Sequence, residues 1–203
     1  MITIKKILLA LIICLLLTGC EDKPKTIKNP NGKSLTYNYF KNLNLNTYTI
    51  KLKNSKRDIL YIKDKNSTYY EVSDKNETLI TIQNKSGIYT LNTTNKFYIQ
   101  EDKTNYIDYM QGYFPNNIKK LKNQTYITGH ERIDLFNYTY ETYNYNNNKA
   151  TYYYRGKNLK FIKNKNALNE TTVKVISLEN KVDKNKFKIP KDYEKLEMWG
   201  YHE

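Results

Sequence analysis

The chain has 203 residues and a net charge of +14, with 34 Lys and Arg against 20 Asp and Glu. Its lysines are spread along the whole length rather than drawn into one stripe, which argues against a nucleic-acid interface. The 21 tyrosines argue against disorder in spite of a mean hydropathy of −0.81, and the 2 cysteines are too few for a disulfide framework.

Lys5 and Lys6 precede an uncharged run from Ile7 to Leu17 (ILLALIICLLL). That run matches the ~7–15 residues of a signal-peptide core and falls short of the about 20 needed to cross a bilayer. Leu17-Thr18-Gly19-Cys20 follows, and the chain then turns polar at Glu21-Asp22-Lys23. This stretch resembles the lipobox of bacterial lipoprotein precursors. The resemblance implies a diacylglyceryl group on the Cys20 sulfur, cleavage between Gly19 and Cys20, and a mature chain that begins at Cys20. A thiolate is the best nucleophile for such an attachment. Acyl chains, at ~0.8 kcal/mol per buried CH₂, hold the protein to the membrane. The expected location is therefore the cell membrane, lipid-anchored and facing outside the cytoplasm. Cys14 would leave with residues 1–19, so no internal disulfide is expected. Residues 20–33, charged and interrupted by Pro24 and Pro30, read as a lipidated flexible tether, and residues 34–203 as one domain.

Period-two alternation dominates from Thr47 onward. In TYTIKLK, Tyr48, Ile50 and Leu52 share one face, and Thr49, Lys51 and Lys53 the other. RDILYIKD, STYYEVS, ETLITIQ, GIYTL and KFYIQ follow, joined by turns such as Thr93-Thr94-Asn95. Tyr106, Tyr109, Met110 and Tyr113 recur at helical spacing, predicting a short helix stopped near Gly112-Pro115, with a second turn through Ile118 and Leu121. Strands resume with TYITGHERI, LFNYTYETYNY, KATYYYRG, NLKFIK and TTVKVISLE, turning at Asn146-Asn147-Asn148 and Gly156-Lys157-Asn158. The expected class is mainly β (α+β): an antiparallel sheet of about eleven strands with one or two short helices.

The C-terminal half carries an ordered set of features: Gly129 and Glu131, TYETYNYN around Glu141, the hairpin into ATYYYRG, Leu159 and Phe161, and a closing Val182-Asp183 with Phe187, Ile189, Pro190 and Tyr193. This order resembles the LolA/LolB-like lipoprotein-carrier superfamily, whose closing element is F-x-I-P-x-x-Y. The resemblance implies a curved half-barrel sheet wrapping the helices around an apolar concave face that holds acyl chains in some members. It brings no catalytic residue. Arg57, Arg132 and Arg155 match no cargo-positioning motif. In the closing element, Phe187 and Ile189 are expected on a last strand that Pro190 ends, with Tyr193 folding back on the sheet.

Chemistry-bearing clusters are sparse. His130 and His202 stand far apart, no metal or cofactor is expected, and no nucleophile elbow or phosphate loop occurs. Glu131 with Asp134, and Glu71 with Asp74, pair by proximity only and read as strand ends. Tyr152-Tyr153-Tyr154, the series Tyr138, Tyr140, Tyr143 and Tyr145, and Trp199-Gly200-Tyr201 are candidate stacking aromatics that alternation through a sheet explains equally well. The Asn-x-Ser/Thr triplets from Asn66 to Asn169 read as products of an asparagine-rich composition. The expected function is that of a non-catalytic, surface-tethered lipoprotein binding a lipid, acyl chain or lipopeptide in a concave face. An envelope protein-interaction or stress-sensing module is the alternative.

Overall fold

A computed structural model describes residues 23–101, 108–115, 117–145 and 148–197. Cys14, Gly19, Cys20, Tyr106, Asn146, Asn147, Trp199, Gly200, Tyr201 and His202 lie outside the described residues.

In chain order the elements are β1 (Lys25–Ile27), helix α1 (Leu35–Phe40), β2 (Thr47–Lys53), β3 (Asp58–Asp64), β4 (Ser67–Ser73), β5 (Thr78–Asn84), β6 (Gly87–Asn92) and β7 (Phe97–Glu101). Helix α2 (Ile118–Leu121), β8 (Tyr126–Ile133), β9 (Phe136–Tyr145), β10 (Asn148–Arg155), β11 (Asn158–Lys165), β12 (Glu170–Glu179), a 3-10 turn (Lys184–Phe187) and β13 (Glu194–Lys195) follow. The chain is mainly β, and every strand expected from alternation is present as β2 to β12.

All strands join one open sheet of 13, in the order β1-β8-β9-β10-β11-β12-β2-β3-β4-β5-β6-β7-β13. Two meanders, β2–β7 and β8–β12, lie side by side because β12 pairs antiparallel with β2. Only β13 runs parallel to its neighbour, β7. Short polar side chains make the turns. Asn54 accepts from the amides of Lys56 and Arg57, Asp74 from Asn76 and Glu77, and Asn166 from Leu168 and Asn169. Each is an Asx turn, which suits a chain rich in asparagine. Register shifts at Tyr153/Tyr154 and Val175/Ser177 mark bulges, which bend strands.

The sheet buries both faces, in different halves. On one face Tyr48, Ile50, Leu52, Tyr61, Tyr143, Tyr152 and Val173 pack under α1, α2 and the 108–115 turn; this is the helix face. On the other, β3–β6 present Ile62, Tyr69, Ile82, Tyr89 and Leu91 to Val182, Phe187, Ile189 and Tyr193 of the C-terminal segment; this is the tail face. β3 serves both cores, since Tyr61 and Ile62 are neighbours of opposite direction.

Four expectations need correction. Residues 20–33 are not tether throughout: Lys25, Thr26 and Ile27 pair with Thr128, Ile127 and Tyr126. Residues 109–113, the described part of the expected first helix, form turns, and among the described residues there the second turn, α2, is the helical one. Helix α1 was unforeseen. In the closing element Tyr193 does pack back on the sheet, but Phe187 ends a 3-10 turn and no strand precedes Pro190.

Candidate functional site

The helix face would be the concave ligand face, so its contents decide what it can hold. Helix α1 has six residues, too short to stand alone. Glu141, from the middle of β9, holds its start. The amides of Leu35 and Thr36 each donate to Glu141 at 2.8 Å, the Thr36 hydroxyl donates at 2.7 Å and the Tyr143 hydroxyl at 3.1 Å. Ser34 caps the next amide, that of Tyr37. The first amides of a helix need partners outside its ladder; Glu141 and Ser34 supply them for Leu35, Thr36 and Tyr37, and the ladder itself begins with Asn38 N–H donating to the Ser34 carbonyl. The carboxylate is 3% exposed and would be costly there without these donors. Burial first, and then the Glu141 charge, pushes the Tyr126 hydroxyl up to about 12 and that of Tyr143 higher still.

Held in this way, α1 drives Phe40 into the sheet, fully buried. Its ring meets Tyr152 of β10 edge-on at 5.6 Å and Phe114 at 5.7 Å, and Phe114 meets Tyr48 of β2 at 5.2 Å. Tyr70 of β4 stacks on Tyr109 at 4.1 Å. Gly112 lets the 108–115 turn settle on β11: at φ +84, a Cβ there would sit 2.5 Å from the Asn164 amide nitrogen. With Leu121 and Met110 also buried, side chains of the chain itself occupy the middle of the helix face.

A cleft of about 710 Å³ opens at the rim of this face, between residues 41–46, β3 and residues 108–119. Leu43, Leu45, Met110, Phe114 and Ile118 give it an apolar floor, and Lys41, Lys63 and Lys119 stand around it with Asp108. Lys63 belongs to the helix face because it pairs with Tyr48. This mixture suits an apolar chain with an anionic head. The tail face has a smaller groove of about 270 Å³ over β8–β12, lined by Glu131, Tyr140, Tyr153, Lys163 and Glu170 among others.

The sequence candidates are dispersed by the fold. Glu131 accepts from the Tyr153 hydroxyl at 2.9 Å, while Asp134 lies in the β8–β9 turn at φ 56. Glu71 accepts from the Tyr69 hydroxyl and lies 3.4 Å from the Lys186 ammonium, while Asp74 organises a turn. Neither pair converges on a common point. His130 is exposed beside the Thr139 hydroxyl at 3.4 Å. Among the described residues no three His, Cys, Asp or Glu side chains gather into a metal-sized group. The tyrosine series divides between faces: Tyr143, Tyr145, Tyr152 and Tyr154 pack on the helix face, while Tyr138, Tyr140 and Tyr153 lie on the tail face. Gly129 leaves room for the Tyr140 hydroxyl, which would lie 2.7 Å from a Cβ.

Sequence reasoning missed Glu141 as the organiser of the face and Lys41, Lys63 and Lys119 as a group. The one local signal was Ser34 before Leu35 and Phe40, a helix-start pattern. No family model, no curated protein and no solved structure matches this chain.

Proposed function

We propose that the protein is a non-catalytic, lipid-anchored envelope protein, held by Cys20 outside the cytoplasm, that works by binding at its surface. The lipobox-like Leu17-Thr18-Gly19-Cys20 supports the anchor, and the absence of catalytic motifs from the sequence supports a binding role. The LolA/LolB-like resemblance belongs to this proposal and is supported by one large antiparallel sheet with short helices on one face. The observation that carries the surface reading is the occupied helix face: Phe40, Phe114 and Leu121 take the space that an enclosed acyl chain would need. A protein-interaction or sensing module therefore fits better than a carrier with an interior cavity.

The rim cleft favours a second reading, in which a single acyl chain lies over Leu43, Leu45 and Ile118 with its anionic head against Lys41, Lys63 and Lys119. Native mass spectrometry of residues 23–203 purified from cells separates the two. An apo mass together with a crosslinked envelope protein supports the module. A co-purified lipid lost on Lys41→Glu/Lys63→Glu supports the cleft and ends the first reading. For the anchor, palmitate labelling of the precursor should vanish with Cys20→Ala; persistent labelling would remove it.

A further inference from the structure

The tail face is treated differently in its two halves. Over β3–β6 it is apolar and covered by residues 182–193. Over the four consecutive strands β10, β11, β12 and β2 the C-terminal segment meets it only where the Thr49 hydroxyl donates to the Lys181 carbonyl, among the described contacts, and it carries Lys149, Lys163, Lys165, Lys174, Lys51 and Lys53. Of these, Lys149 sits directly opposite Lys165, and Lys174 directly opposite Lys53. Like charges in such pairs destabilise a sheet. Glu170 lies 2.6 Å from Lys163 and 3.4 Å from Lys165, and Asp58 lies 3.0 Å from Lys53. Lys149 and Lys174 have no acidic partner among the described ion pairs. Each facing pair therefore keeps one lysine without an acidic partner among the described ion pairs, on a part of this face that the apolar C-terminal cover does not reach.

We infer that this lysine-bearing face of β10, β11, β12 and β2 docks on an anionic phospholipid surface. The inference rests on the reading of Cys20 as a lipid anchor and adds what the anchored domain lies against. Four strands span about 14 Å between outer axes, a broad field suited to a plane of headgroups. The groove that overlaps its β10–β12 part and runs on over β9 and β8 also holds Glu131 and Glu170, which a threaded polyanion would have to pass. The pairing of Lys25 with Thr128 puts β1 at the edge beside β8, so four residues, at most about 18 Å of chain over five Cα steps, separate Cys20 from the sheet. So short a lead keeps the domain against the bilayer. Headgroup charge then relieves the Lys149–Lys165 and Lys174–Lys53 repulsion. It acts over about 10 Å at moderate salt.

The chain from Lys23 onward contains every described strand and both cores, so it tests the face without the lipid. It should float with phosphatidylcholine vesicles doped with phosphatidylglycerol, be released by salt, and ignore pure phosphatidylcholine. At about fivefold per lysine, Lys149→Gln/Lys165→Gln/Lys174→Gln should weaken binding roughly a hundredfold. Lys75→Gln/Lys85→Gln/Lys191→Gln, with the same charge change in exposed turns, should leave binding nearly unchanged. Circular dichroism on both variants confirms the fold. Equal losses from the two triple variants would reduce the effect to net charge and overturn the proposal. Lysine-dependent capture of polyphosphate without vesicle binding would overturn it in favour of an anionic polymer, and no binding to either would overturn it outright. Palmitate labelling of the precursor reads the anchor independently, so either idea can fail alone.

Discussion

At the scale of single residues, Glu141 ties together groups far apart in the chain. Its oxygens serve two amides of α1 and two hydroxyls, 105 residues from Thr36 in sequence. Removing a buried, hydrogen-bonded charge strands its donors, so Glu141→Ala should cost about 3 kcal/mol, read from urea unfolding. Glu141→Gln keeps the shape but turns an amide NH₂ toward groups that are themselves donors, so it should recover only part of the loss. Full stability in the Gln variant would show that the charge is dispensable. The tyrosines around it make a separate prediction about pH. Burial raises Tyr126 to about 12, and raises Tyr143, Tyr152 and Tyr154 above their ordinary value as well. Free tyrosines in an unfolded chain ionise near 10. The unfolded state thus loses protons first, and the stability these hydroxyls contribute is whole below pH 10 and falls as pH rises through about 12. Tyrosinate absorbance should therefore appear together with loss of near-ultraviolet circular dichroism. Ionisation of these buried groups near pH 10 with the fold intact would contradict that.

At the scale of elements, the C-terminal segment has a structural task that its irregular backbone conceals. Phe187, Ile189 and Tyr193 cover the apolar half of the tail face without forming a strand there. Phe187 is half-buried, so Phe187→Ala should cost about 2 kcal/mol and expose Ile82 and Leu91 to hydrophobic dyes. Unchanged unfolding and dye binding would mean that the segment only rests on the sheet. The contrast between this segment and the strands explains what the sequence could show. β2 to β12 were legible because each has one side to bury, and burial on one side imposes alternation. β1 and β13, at three and two residues, are too short for any period. Helix α1 is stabilised by Glu141 on β9, a partner that no local window contains. The turn at 109–113 has helical spacing in its aromatics, yet tertiary contacts with Tyr70, Phe40 and Asn164 hold it as turns. The rim lysines Lys41, Lys63 and Lys119 come from separate segments, so only the folded chain shows them as a group.

At the scale of the whole molecule, an open sheet of 13 strands has two edges, and each is met by a short strand near an end of the described chain. β13 lies beside β7, and β1 beside β8. Unpaired edges are templates for pairing with another chain. β1 covers only Tyr126, Ile127 and Thr128, and beyond them the edge bears His130, Glu131 and Arg132, charged or polar residues that discourage pairing. The apolar start of β8 is thus the part that needs a neighbour. Ile27 also packs against the helix-face core, so β1 ties the start of the described chain to the centre of the fold. A chain beginning at Gly32 should lose this cover and keep the rest of the sheet. It should be less stable than the chain beginning at Lys23 and should self-associate at concentrations where the longer chain does so less, as read by sedimentation velocity. Ile27→Asp in the longer chain should reproduce the loss of stability by burying a charge against Tyr126, with association following as β1 detaches. Identical sedimentation of the two chains would show that β1 protects nothing, and the short lead from Cys20 to the sheet would then lose its structural reason.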